Sequence, residues 1–199
     1  NLLNDLGKLQ DAELSYRKAI KIKPDFADAH YNLGVLLNDL GKLQDAELSY
    51  RKAIEIKPDF AEAHSNLGVL LNDIGQLQEA EISYRKAIKF KPDYVDAHYN
   101  LGLILKDLGK LKEAELSYLK AIEIKPDDAE AYSNLGIILK DLGKLKEAEL
   151  FARKALELNP NFAEAHSSLG NILRDLGNLE EAELSTRNAI KLDPDFAIA

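Results

Sequence analysis

Between Ala27 and Phe60 the apolar residues Ala29, Leu33, Leu36, Leu37 and Leu40 recur at steps of three and four, the spacing of one helical face. Gly41 follows, and because glycine tolerates the left-handed backbone that closes a helix, Asp39-Leu40-Gly41-Lys42 is predicted to be a C-terminal cap and turn. A second helical stripe runs through Leu43, Ala46, Leu48, Tyr50, Ala53, Ile54 and Ile56, and Pro58 ends it. The segment is therefore predicted to be a pair of helices, A and B.

The pair recurs along the chain. Pro24, Pro58, Pro92, Pro126, Pro160 and Pro194 stand 34 residues apart, as do Gly7, Gly41, Gly75, Gly109, Gly143 and Gly177. The other glycines, Gly34, Gly68, Gly102, Gly136 and Gly170, keep the same interval. A fixed period of this size signifies a stack of supersecondary units, none of which buries its apolar face alone. One array over 1–199 is expected, with a partial unit at 1–26, full units at 27–60, 61–94, 95–128, 129–162 and 163–196, and the start of another at 197–199.

Polar residues add local detail. Asp59 and Glu62, three apart, suit a capping box for the next helix A, as do Asp25 with Asp28 and Asp93 with Asp96. Glu47 with Arg51, Glu81 with Arg85 and Glu149 with Arg153 place acid four residues before base along helix B, pairs worth a few tenths of a kcal/mol each.

Composition narrows the function classes. Without cysteine there is no disulfide framework and no thiol nucleophile; a reducing compartment is compatible, and the cytoplasm is the expected location. Apolar runs are far too short to span a bilayer, so no membrane insertion is expected. A net charge of −8 opposes a polyanionic partner, so no nucleic acid is expected.

The units resemble the tetratricopeptide repeat (TPR) family, with Leu33, Gly34, Ala46, Tyr50, Ala53 and Pro58 at signature places and copies of them in the other units. The resemblance implies an all-α fold, a right-handed α-α superhelix of stacked antiparallel helix pairs. The family's tryptophan at unit position 4 is replaced by His30, His64, His98, Tyr132 and His166, and its tyrosine at position 11 by Leu37, Leu71, Leu105, Leu139 and Leu173. The wording Asn32-Leu33-Gly34 and Asn100-Leu101-Gly102 is similar to arrays attached to protein O-linked N-acetylglucosamine transferases and related bacterial proteins. That similarity implies a ladder of asparagines, Asn32, Asn66, Asn100 and Asn134, lining the inside of the superhelix, holding a peptide backbone and broken at Ser168.

If helix A lines the concave wall, as in the family, unit positions 2, 5, 6, 9, 12 and 13 share its groove face; in the second unit these are Asp28, Tyr31, Asn32, Val35, Asn38 and Asp39. A side-chain amide pairs with both groups of a peptide bond without reading its side chain. Tyr31 and Tyr99 would add amphipathic area, and Val35, Val69, Leu103 and Ile137 an apolar stripe. Position 12 runs Asn38, Asn72, Lys106, Lys140 and Arg174 while position 13 stays acidic from Asp39 to Asp175, which suits a ligand carrying both signs. The plainer readings stand beside these. Exposed asparagines are often only polar surface, Asp28, Glu62, Asp96, Glu130 and Glu164 read better as capping acids than as ligand contacts, and the alternation Tyr31, Ser65, Tyr99, Ser133, Ser167 is open to a two-unit duplication alone. Relatives that clamp carboxylates need Lys or Arg at positions 2, 5 and 6, which are absent here.

No catalytic constellation emerges, and no cofactor is expected. His30, His64, His98 and His166 occupy one repeat position, so they stack a helix pair apart instead of converging to about 2.0–2.1 Å on a zinc ion; packing between helices explains them better. Ser49, Ser83 and Ser117 have no activating base at a suitable spacing. The expected function is a scaffold binding an extended peptide or partner protein in the helix-A groove. The alternatives are an accessory recognition module of a larger glycosyltransferase or sulfotransferase, or an architectural segment.

Several places depart from the pattern. Phe151-Ala152 replaces the usual Ser-Tyr, Thr186 removes the tyrosine of the last unit, Leu119 replaces the arginine partner of Glu115, and Asp128 stands where Phe60 or Phe162 packs. Asp128 is expected at a surface edge with a looser contact to the next unit. Asn1 falls halfway through a helix A and Ala197-Ile198-Ala199 opens another, so the chain reads as part of a longer array or an engineered one, with uncapped ends suited to end-to-end self-association.

Overall fold

A computed structural model describes residues 2–194, with side chains from Lys8 onward. Asn1 and the Ala197-Ile198-Ala199 start of a further unit lie outside the described residues. Among these residues there are only helices: α1 (Leu2–Ile22), α2 (Ala27–Asp39), α3 (Leu43–Ile56), α4 (Ala61–Asp73), α5 (Leu77–Phe90), α6 (Val95–Asp107), α7 (Leu111–Ile124), α8 (Ala129–Asp141), α9 (Leu145–Leu158), α10 (Ala163–Asp175) and α11 (Leu179–Leu192). The chain divides into two compact units, Asn1–Ala97 and His98–Ala199.

The turns close as the glycine ruler predicts. Gly41 has φ +70°, its N–H donates to Asn38 O at 2.9 Å, and Lys42 N–H donates to Leu37 O at 2.8 Å. This is the Schellman arrangement, in which a left-handed residue lets two amides cap the last carbonyls. Gly75, Gly109, Gly143 and Gly177 repeat it. Gly7 lies on the same ruler, yet α1 runs through it unbroken.

The predicted capping boxes are absent where the helix starts are described. The residues preceding α2, α4 and α10 are Phe26, Phe60 and Phe162, and none of these helices has a side-chain cap. Asp25 and Asp59 sit one residue too early and stay exposed, while Phe60 turns into the core with Ala27, Ala53 and Ala63. Packing replaces the cap hydrogen bond there. Asp128 is the exception: its carboxylate accepts from Ala131 N–H at 3.1 Å and pairs with Lys125 Nζ at 3.1 Å. It is half-buried, not at an exposed edge as expected, because a carboxylate at this site can cap α8 as phenylalanine cannot.

In the first unit α2 packs on α3 and α4 on α5, α3 lies against α4, and the first helices α2 and α4 also touch. In the second, α8 pairs with α9 and α10 with α11, α9 lies against α10, and α8 touches α10. Close approach within a pair comes from small residues. Ala46, Ala53, Ala80 and Ala87 are fully buried, and each helix A presents a glycine to the helix-B tyrosine: Gly34 to Tyr50, Gly68 to Tyr84, Gly102 to Tyr118. In the fifth repeat Ala152 takes the tyrosine's place against Gly136, and in the sixth Thr186 faces Gly170.

The expected helix-B ion pairs form, Glu47 with Arg51 at 2.7 Å, Glu81 with Arg85 at 2.9 Å and Glu149 with Arg153 at 2.8 Å. Arg51 also reaches Glu79 of the next repeat at 2.8 Å. Glu115, deprived of arginine by Leu119, takes Lys144 at 2.7 Å.

Candidate functional site

Helix A exposes one face. In α2 Asp28, Asn32 and Asp39 are exposed and Tyr31, Val35 and Asn38 half-buried, while Ala29, Leu33, Leu36 and Leu37 face inward. The 3.6-residue turn brings the first six residues to a common side. The same holds for Val69 (half-buried) and Asn72 (exposed) in α4, Asn100 and Lys106 (half-buried) in α6, Lys140 (half-buried) in α8, and Arg174 (exposed) in α10. Position 5 departs from the expectation at Ser65 and Ser133, which are buried, whereas Ser167 in α10 is half-buried.

The two tyrosines are not free groove groups. Tyr31 is half-buried, its ring 4.9 Å from that of Phe60 and 6.1 Å from that of Tyr50. Asn66 Nδ2, one repeat on, donates to its hydroxyl at 3.0 Å. In the second unit Asn134 Nδ2 donates to Tyr99 Oη at 3.0 Å, and Tyr99 in turn donates to Glu130 Oε2 at 3.4 Å. Burial, and then the nearby Glu130 charge, push the Tyr99 phenol up to about 12. The Tyr/Ser alternation therefore has a structural sense: the tyrosine of one repeat is tied to the asparagine of the next. The signal in the sequence was a Tyr and an Asn 35 residues apart, Tyr31 with Asn66 and Tyr99 with Asn134.

The asparagines thus differ from one another. Asn32 is exposed, and Asn66 and Asn134 each spend a donor on bracing. Asn38 turns its Oδ1 out of solvent without a partner. The basic heads of position 12 lie against the acids of position 13: Lys140 is 3.5 Å from Asp141 and Arg174 3.5 Å from Asp175. Between α8 and α10 the face dips into a cavity of about 240 Å³ lined by Ile137, Lys140, Asp141, Ser168 and Asn171.

Among the possible capping acids, the Glu62 carboxyl is held below its ordinary range first by its own backbone amide and then by Lys91, whose Nζ lies 3.2 Å away. The histidines pack against the chain. His30, His64 and His166 direct Nε2 at the carbonyls of Pro24, Pro58 and Pro160, at 3.0, 2.9 and 3.0 Å. A carbonyl only accepts, so each Nε2 carries the proton. His64 also stacks on Phe90, and burial lowers its pKa. Among the described residues no three or more of His, Cys, Asp and Glu gather as a metal site would require, and no helix is long and apolar enough to cross a membrane.

Paired helices repeated every 34 residues, each offering a polar face with amides at fixed intervals, define a helical-repeat interaction scaffold. The chain belongs to the tetratricopeptide repeat family: models described as "TPR repeat" match residues 1–38, 70–109 and 103–143, and models described as "Tetratricopeptide repeat" match 27–60, 129–162 and 163–196, and 49–82. Proteins of this family are typically non-catalytic interaction modules. A search of curated proteins finds no match. Among solved structures the chain is similar to YrrB, described as a TPR protein with an unusual peptide-binding site, at 28% identity, a TM-score of 0.81, and coverage of 90% of this chain and 93% of that one. MamA (24% identity, TM-score 0.77, 84% and 98% covered) shows the same fold. So does PilF of Pseudomonas aeruginosa (25%, 0.72, 83% and 75%).

Proposed function

We propose that the exposed faces of the first helices hold an extended peptide of a partner protein, with Asn32, Asn66, Asn100 and Asn134 pairing with its backbone. The observation that carries this reading is the bond from Asn134 to Tyr99. It uses one N–H of the amide and fixes its plane; the other N–H and Oδ1 are the donor and acceptor that a peptide bond requires. An amide already immobilised by a neighbouring repeat loses less rotamer entropy on binding. Val35, Val69, Tyr31 and Tyr99 supply apolar contact between the rungs, while Asn38, Asn72, Lys106, Lys140 and Arg174 meet the peptide's polar side chains. The peptide site of YrrB, a similar fold, supports the reading. The 34-residue units from 27–60 to 163–196 are the modules of this surface, and one array over 1–199 is the domain organisation we favour.

The test is a fluorescent peptide selected from a displayed random library. Asn100→Ala with Asn134→Ala should weaken it about tenfold, the worth of one or two hydrogen bonds. Tyr99→Phe removes the brace but keeps the amide, and should weaken it less. Unchanged affinity in the double variant refutes the ladder.

A further inference from the structure

On the helix-B side of the first unit, one kind of pocket occurs twice. A cavity of about 270 Å³ is walled by Ile54, Leu67, Ile82 and the buried His64, with Arg51, Lys86, Glu55 and Glu79 at its rim. Another of about 390 Å³ has Ile20, Leu33, Leu48 and His30 in the corresponding places, one period earlier. Ser83 lines the first and Ser49 the second. Ser49 Oγ is turned back onto Asp45 O at 2.8 Å, so its short side chain does not fill the space. Ile82 and Leu48 lie at these pockets 55% and 66% exposed.

The fifth repeat shows what fits such a pocket. There the serine's position holds Phe151 and the histidine's position holds Tyr132, and the two rings stack with centroids 6.0 Å apart and planes at 27°. Leu119 takes the rim position that Arg51 occupies two repeats earlier. That repeat closes its own pocket with an aromatic ring. We propose that the pockets beside Ser49 and Ser83 bind aromatic side chains of a partner polypeptide, each ring taking the place against His30 or His64 that Phe151 takes against Tyr132. Charge narrows the partner at the pocket beside Ser49: of the cations lining it, Arg17 pairs with Glu13 at 2.9 Å and Lys52 with Glu55 at 2.9 Å, so Lys21 is the one that favours an aromatic residue with an acidic neighbour. This site is separate from the helix-A face and stands without it.

The protein has no tryptophan, so the emission of the probe acetyl-Asp-Trp-Glu-amide reports binding directly. Titration should quench or shift that emission and move the imaidazole proton resonances of His30 and His64 upfield by ring current. Ser49→Phe with Ser83→Phe copies the fifth repeat's plug and should weaken the probe about tenfold or more, with the thermal melt confirming a folded chain. Phe151→Ser opens the fifth pocket and should raise the stoichiometry by one site. A Lys-Trp-Lys probe should bind several-fold more weakly, and Asn134→Ala should leave probe affinity unchanged. No binding to the wild-type chain, equal binding to the plugged variant, or histidine resonances that stay still on saturation would overturn the proposal.

Discussion

The contact between helix-A glycine and helix-B tyrosine allows a controlled perturbation inside the second unit. Gly102→Ala would place a methyl carbon 2.8 Å from Tyr118 Cζ and 2.9 Å from both Cε atoms, and Tyr118 is fully buried, with no room to withdraw. Forcing a methyl group into such a site costs about 1–3 kcal/mol, against which alanine recovers about 1 kcal/mol of helix propensity. The net loss is about 1 kcal/mol. Gly136→Ala, one repeat later, meets only Ala148 O at 3.3 Å, Ala152 N at 3.4 Å and Ala152 Cβ at 3.5 Å. There the propensity gain offsets most of the strain, and stability should change by less than about 1 kcal/mol in either direction. Urea denaturation followed by circular dichroism compares the variants. Hydrogen exchange at α6 and α8 localises the effect, because repeat arrays open piecewise. Adding Tyr118→Ala to Gly102→Ala removes the ring that the new methyl meets, so the double variant should lose less than the sum of the single losses. Equal costs for Gly102→Ala and Gly136→Ala, or strict additivity in the double variant, would refute the packing argument.

Burial holds the His64 pKa below its unfolded value of about 6.5, so in the window just below that value the unfolded chain binds more protons than the folded one. Stability should therefore fall as pH drops from about 7 through that window, and His64→Tyr, the residue found at Tyr132, should flatten this part of a urea-midpoint profile. Tyr118 Oη is buried without a partner whereas Tyr31 Oη accepts from Asn66, so in thermal melts Tyr118→Phe should be neutral or stabilising and Tyr31→Phe should cost about 1 kcal/mol. Gly75→Ala meets no steric neighbour yet must adopt φ +77°, and should lose about 1–2 kcal/mol in the same assay.

The sequence by itself determined the elements and their spacing. Helix periodicity is local, and a glycine at φ +70° or a proline after Ile56 acts on the backbone next to it, so helix A, turn and helix B were legible from residue types alone. The exposed face of helix A followed from the 3.6-residue turn. Where a local signal competed with packing, the tertiary structure decided. Asp59 offers a cap, yet Phe60 enters the core at the helix start. The ties from Asn66 to Tyr31 and from Asn134 to Tyr99 join residues of successive repeats, as does the pairing of Glu115 with Lys144. Such contacts depend on how one helix pair nests on the next. Their energies come from burial and from geometry between repeats, terms that a one-dimensional pattern of residue types does not contain.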